Sequence, residues 1–361
     1  MDITQLKKVE LEITSDCNAA CPGCQRTSLN SDGKLTVTDF SLDDLKRMFP
    51  PNNYDGIEFK FCGVLGDPAI HPQFADMLQY ILENNGRVSI STNGAIGTAN
   101  TWRRIGQLCH DYEKQFFCHW CIDGHKETNH IYRVNTVWKV LERNMNAFVE
   151  TCGGYTHRNL WVFIVFDHNE YEIDAAREHA ERLGFKFATR TGMRNSFQDW
   201  VANIKKKDHK KKKIVTIQKV ITTTGEKEHT KVEQVKELDK FIAKVDKTKE
   251  ETSKVLHTIQ CKYIHEGEIF IAADQTMWPC CFLSDSSSQN KDKINDKMRE
   301  YGNGWNSLRD KSINEVMQHP WFDKILTDSW DPNHSKHLTR CIRTCAYNKA
   351  YHNELNIEET L

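Results

Sequence analysis

Long apolar runs are missing from this 361-residue chain. No stretch approaches the ~20 consecutive apolar residues of a bilayer-spanning helix, so a membrane protein of the helical kind is not expected. An apolar signal region is missing too: the opening Met1-Asp-Ile-Thr-Gln-Leu-Lys-Lys8 is polar, and the expectation is a soluble, cytoplasmic chain. Charge of one sign is equally absent. Forty-nine Lys and Arg face 50 Asp and Glu, so the total charge gives no long-range pull toward nucleic acid. Cysteine is plentiful, at 13 residues. In a cytoplasmic chain those thiols stay reduced, and clusters of them read as metal ligands rather than disulfides. The length suggests about two folding units, one large and one small.

Cys17, Cys21 and Cys24 are the most informative residues. They lie in Leu11-Glu-Ile-Thr-Ser-Asp-Cys-Asn-Ala-Ala-Cys-Pro-Gly-Cys-Gln-Arg26, after an alternating apolar strand of Val9, Leu11 and Ile13. Three thiolates this close can hold three irons of a cubane, and a four-iron cluster then keeps one iron open for chemistry. A zinc site is the alternative. It wants a fourth Cys or His at zinc-knuckle spacing, and the closest downstream cysteine is Cys62. The Cys-x3-Cys-x2-Cys spacing resembles the signature of the radical S-adenosylmethionine (SAM) superfamily. That resemblance implies a [4Fe–4S] cluster whose open iron is chelated by SAM, and reductive cleavage of SAM to a 5′-deoxyadenosyl radical that abstracts hydrogen from a substrate.

Strand and helix patterns alternate from residue 7 to about 190. Strands are predicted at 8–14, 56–62, 87–92, 115–122, 160–166 and 185–189, and helices at 42–49, 72–84, 101–110, 136–150 and 171–183. Periodicity alone says α/β, with a site at the C-terminal ends of parallel strands. The resemblance sharpens this to a partial (β/α)6 TIM-type barrel over 1–200, followed by a small α+β auxiliary domain.

The strand ends carry further matches. Phe61-Cys-Gly-Val-Leu-Gly-Asp-Pro-Ala-Ile-His-Pro72 resembles the family's Gly-Gly-Glu-Pro turn, which implies that Gly66, Asp67 and Pro68 bind the SAM amino group, with Asp in place of Glu. Val88-Ser-Ile-Ser-Thr-Asn-Gly94 is similar to the family's third-strand terminus and implicates Ser91 and Asn93. Trp120-Cys-Ile-Asp-Gly124 is similar to a Ser-hydrophobic-Asp-Gly element and points to Cys121, Asp123 and the nearby Arg133, whose guanidinium suits the SAM carboxylate. A serine in the family is a cysteine here. Cys62, Cys109, Cys118 and Cys152 show no recognisable partner in the sequence and are expected to be core or incidental thiols.

Cysteines cluster again near the end, at Cys261, in the hairpin pattern Gly267-Glu-Ile-Phe-Ile-Ala-Ala-Asp-Gln-Thr-Met-Trp-Pro-Cys-Cys281, and in Cys341-Ile-Arg-Thr-Cys345. This resembles the SPASM/twitch subgroup and implies an auxiliary [4Fe–4S] cluster on Cys261, Cys280, Cys341 and Cys345, with Cys281 left over. Gln275 stands where the subgroup has a turn glycine. A structural zinc on the same four thiolates is the competing assignment.

Between the two cysteine groups, 201–258 reads as an insertion or linker with one amphipathic helix. Its lysine-rich run from Lys205 to Lys213 is either a solvated loop or a nucleic-acid contact. The resemblance implies oxidative modification of a peptide or protein, fed by an electron donor such as flavodoxin or ferredoxin. Modification of a nucleotide, nucleic acid or small metabolite is the alternative, and a non-enzymatic metal-binding adaptor is a third. No side chain is singled out as the final acid, base or hydrogen donor.

Overall fold

Alternation of apolar with polar residues builds six short parallel strands in the computed structural model, which describes residues 3–191, 259–284, 297, 299–331, 333–346 and 356–357. They are β1 (Lys8–Leu11), β2 (Glu58–Phe61), β3 (Arg87–Thr92), β4 (Phe116–Cys121), β5 (Asn159–Val165) and β6 (Lys186–Thr191), and they neighbour one another in sequence order. Helices Leu42–Met48, Phe74–Glu83, Ala99–Asp111, Trp138–Cys152 and Ile173–Arg182 connect or flank them, close to the positions the spacing predicts. Caps fix several starts: Ser41 and Asp44 form a reciprocal capping box on the first of these helices.

β1 is shorter than the apolar pattern suggests. Beyond Leu11 the chain turns from β2 to the segment before residue 41, where Thr14 bridges Asp39 and Ser15 N donates to Thr38 O. That departure frees residues 16–24 to form a loop over the strand ends.

The two faces of the sheet differ in chemistry. Val9, Leu11, Phe59, Phe61, Val88 and Ile90 are fully buried in the core shared with the helices. The alternate positions are polar yet also enclosed: Glu10, Glu12 and Ser89 are buried. Lys60 donates to Glu10 at 2.6 Å and Ser89 to Glu58 at 2.5 Å across that face.

The C-terminal hairpin extends the same sheet. β7 (Glu268–Ile271) runs parallel to β1, in register from Lys8↔Glu268 to Leu11↔Ile271, and β8 (Met277–Trp278) pairs antiparallel with β7. At the other edge β9 (Asn356–Ile357) is antiparallel to β6, giving a nine-stranded order β8-β7-β1-β2-β3-β4-β5-β6-β9. The sheet therefore stays open among the described residues, as a partial barrel does. Gln275 adopts the left-handed conformation that a turn glycine would take, at φ 67°. Arg47 Nη2 holds its side-chain oxygen at 2.6 Å and Leu308 N its carbonyl at 2.8 Å, which offsets the conformational cost.

No helix among the described residues is long and apolar enough to cross a membrane. The insertion 201–258 and its lysine run lie outside the described residues.

Candidate active site

The site is built where strands β1 to β5 end. After β2, the turn at 62–67 folds back onto the segment leading out of β1. Gly66 permits this approach: a Cβ there would stand 1.8 Å from the carbonyl oxygen of Thr14. Asp67 N then donates to Asp16 O at 2.8 Å. Pro68 opens a short 3-10 turn capped by the Asp67 side chain. From below, Glu12 supports the turn by accepting from Leu65 N at 2.6 Å and Gly66 N at 3.3 Å.

Burial pushes the Glu12 carboxyl up to about 7, against the backbone N–H groups that favour its charge. A raised carboxyl binds its proton more tightly in the folded chain. Its stabilising contribution is complete below the ordinary value of 4.5 and is lost as pH rises through about 7. Glu12→Gln keeps the acceptor and removes the titration. The stability margin of the wild-type chain over Glu12→Gln is expected to fall by roughly 2 kcal/mol between about pH 5.5 and about pH 8.5, measured by denaturant unfolding. A pH-independent margin would remove this role.

Asp67 joins the turn to the end of β3. Its Oδ1 accepts from Thr92 Oγ1 at 2.8 Å and Ala69 N at 3.1 Å, and its Oδ2 from Asn93 N at 2.7 Å and Asn93 Nδ2 at 2.8 Å. Both oxygens are thus occupied within the protein. Asp67 positions the turn and Asn93, while the backbone of the turn is left to meet a ligand. Asn93 Nδ2 also reaches Asn18 Oδ1 at 2.9 Å and Cys17 Sγ at 3.8 Å. Asn18 in turn donates to Ala95 O at 3.0 Å.

Cys17, Cys21 and Cys24 come together around Ala19, Tyr132 and Phe166. Three N–H groups point at their sulfurs: Ala19 N on Cys17 at 3.4 Å, Asn93 Nδ2 on Cys17, and Arg133 Nη1 on Cys21 at 3.7 Å. Burial pushes Cys17 up to about 12 and raises Cys21 as well. A cation in place of the thiol protons would relieve that cost, and N–H donors to sulfur suit metal-bound thiolates. Arg133 Nε pairs with Asp123 Oδ2 at 2.7 Å, and Asp123, fully buried after β4, also accepts from Ile164 N at 2.9 Å. Against the desolvation of burial, Asp123 keeps the guanidinium firmly charged.

Of the remaining sequence-based candidates, one lies outside these contacts and one borders them. Ser91 lies on the polar face of β3 opposite His119 of β4, outside the contacts around Asp67. Cys121 ends β4 beside Arg133 and Asp123, and its thiol is raised by burial. Sequence reasoning missed Asn18, Thr92 and Glu12. Asn18 and Thr92 sit inside the quoted motifs, and the polar alternation of Val9-Glu-Leu-Glu-Ile13 was the available signal for Glu12.

The second cysteine group also assembles. Cys261, Cys280, Cys341 and Cys345 line one cavity together with Lys262 and Trp330. Cys261 precedes helix Lys262–Glu266 and Cys345 ends helix Thr339–Cys345. Cys281 does not line that cavity; it packs against the main core, and burial, with the nearby charge of Glu10, raises its thiol. Among the described residues no three Cys, His, Asp or Glu side chains are arranged as a single-ion metal site. The ligands of a cubane sit on separate irons and are spread wider than those of one ion.

No family model matches the chain. The tungsten-containing aldehyde ferredoxin oxidoreductase cofactor-modifying protein of Pyrococcus furiosus is 30% identical over 106 residues, and the match spans 28% of this chain and 28% of that protein's length. Among solved structures, anSMEcpe with bound AdoMet (SAM) aligns with a TM-score of 0.51 at 15% identity, covering 96% of this chain and 92% of that one. Streptococcus suis SuiB bound to precursor peptide SuiA aligns with a TM-score of 0.52 at 10% identity, covering 95% and 72%. Both are radical SAM enzymes of the SPASM/twitch group. With its parallel partial barrel and the hairpin that extends it, the chain has the fold of the radical SAM, SPASM/twitch enzymes.

Proposed function

We propose that this chain is a radical SAM enzyme in which Cys17, Cys21 and Cys24 hold a [4Fe–4S] cluster, with SAM held beside it by the turn at Gly66, Asp67 and Pro68 and by Ser91, Asn93, Cys121, Asp123 and Arg133. The observation that carries this reading is the meeting of the three thiols with N–H donors from Asn93 and Arg133 at the ends of the parallel strands. When bound and reduced, such a cluster would supply the electron for reductive cleavage of SAM and, through it, the means to abstract hydrogen from a substrate.

The residues themselves bind and orient. Arg133, kept charged by Asp123, offers its guanidinium to the SAM carboxylate. The turn that Gly66 and Glu12 shape presents backbone carbonyls to the SAM amino group. Asn93, fixed by Asp67, lies between the turn and Cys17. Cys261, Cys280, Cys341 and Cys345 are proposed to hold an auxiliary [4Fe–4S] cluster, which as an electron acceptor favours net oxidation of the substrate.

A peptide or protein substrate is supported by the likeness to SuiB, whose structure contains a precursor peptide. Modification of a small metabolite is the second reading, supported by the match to a cofactor-modifying protein. Incubating the anaerobically reconstituted chain with SAM, dithionite and deuterated candidate substrates tests both. Release of 5′-deoxyadenosine supports the enzyme, and the molecule that passes deuterium to it identifies the substrate class. No 5′-deoxyadenosine under strong reduction would leave the adaptor reading.

A further inference from the structure

Two buried thiols outside the candidate site face each other. Cys109, in helix Ala99–Asp111, and Cys152, the last residue of helix Trp138–Cys152, are both fully buried, with their sulfurs 3.1 Å apart. They lie 43 positions apart in the chain and meet only where the two helices pack. A disulfide needs the sulfurs at about 2.05 Å, so closing this contact takes a movement of about 1 Å.

We propose that Cys109 and Cys152 are a redox pair that closes to a disulfide on two-electron oxidation by hydrogen peroxide. Burial excludes bulky disulfide oxidants and leaves a small peroxide as the suitable co-reactant. The Cys152 thiolate attacks one peroxide oxygen, breaking the O–O bond and giving a sulfenic acid and hydroxide. The Cys109 sulfur then attacks the oxidised sulfur, forming the S–S bond, and the sulfenic oxygen leaves as water with the Cys109 proton. In sum, two thiols and one peroxide give one disulfide and two waters.

The surroundings support this chemistry. The hydrogen bond between them lowers the Cys152 thiol below its usual value, while the same bond and burial raise Cys109, so Cys152 is the thiolate of the pair. The bond would also fasten the helices that hold the loop after β3. Asn144 Nδ2, from the second helix, donates to the carbonyls of Gly94 and Ile96 at 2.8 Å each, and Thr151 Oγ1 donates to Arg103 O of the first helix at 2.7 Å. Asn93 enters that loop, so oxidation at the pair would stiffen a support of the SAM site. The pair itself does not depend on the cluster assignment.

The test is non-reducing peptide mapping of the anaerobically purified holo chain after graded peroxide, with free thiols alkylated during denaturation. The expected result is a Cys109–Cys152 crosslinked peptide lacking two hydrogens, a melting temperature several degrees above the reduced chain, and reversal of both by dithiothreitol. That rise should be absent in Cys152→Ala. The wild-type reversal by dithiothreitol carries the test should that variant fail to fold. Recovery of both residues as alkylated thiols, their separate over-oxidation, or a crosslink of either to the nearby Cys118 would overturn the proposal.

Discussion

Cys21→Ala is expected to lose about four irons per reconstituted chain and to reduce 5′-deoxyadenosine formation to the uncatalysed background, while the apo chain keeps its fold. Cys21 lies in the loop between β1 and helix Gln25–Ser31, buried in the small cluster with Ala19, Tyr132 and Phe166 and outside the main core, so shortening it to Ala removes one sulfur from that cluster and leaves the sheet packing in place. What it contributes is a ligand position steadied by Arg133. Cys281→Ala is the control. Its side chain packs against the main core and does not line the cavity shared by the other four cysteines, so iron content and activity should be unchanged. Iron analysis and product chromatography check both. Full iron retention in Cys21→Ala would remove this residue from the cluster.

The second large effect falls on Arg133. Replacing it with Met leaves the Asp123 carboxylate fully buried without its cation, and loss of one partner of a buried ion pair costs about 3–5 kcal/mol. The same variant should bind SAM at least about tenfold more weakly, a difference of about 1.4 kcal/mol. Stability and binding can be separated. Adding Asp123→Asn to Arg133→Met removes the stranded charge and should restore much of the stability without restoring SAM affinity. Thermal melts of the apo chain and SAM titration of the reconstituted chain measure the two effects. Recovery of affinity in the double variant would mean that Arg133 acts only through the fold.

The barrel was legible because its periodicities are local. Val9, Leu11, Phe59, Phe61, Val88 and Ile90 repeat at strand spacing, and each helix start or end falls near its apolar pattern. The polar face was legible only in part. The sequence places Glu10 and Glu12 opposite the apolar residues of β1, but the closeness of β2 and β7 that encloses them is a long-range property. Glu10 shows the consequence: burial raises its carboxyl, yet Lys60 and Lys262, brought in from distant segments, outweigh that and hold it at about 2. Likewise Asp67 reads in the sequence as a ligand-facing acid, and its engagement by Thr92 and Asn93 becomes visible only once β2 and β3 stand side by side. The role of Cys281 was undecidable from spacing, since adjacent cysteines differ only in the direction their backbone sends them. Cys109 and Cys152 could not be paired before the helices carrying them were seen to meet.

Electron paramagnetic resonance of the anaerobically reconstituted, dithionite-reduced chain, recorded with and without SAM, tests the central claim most directly. The Cys261→Ala/Cys280→Ala double variant isolates the N-terminal centre. A reduced [4Fe–4S] signal whose g-values shift on adding SAM, and which is absent in Cys21→Ala, is the expected result. A chain that binds zinc in place of iron, or an iron–sulfur signal that SAM leaves unchanged, would contradict the account.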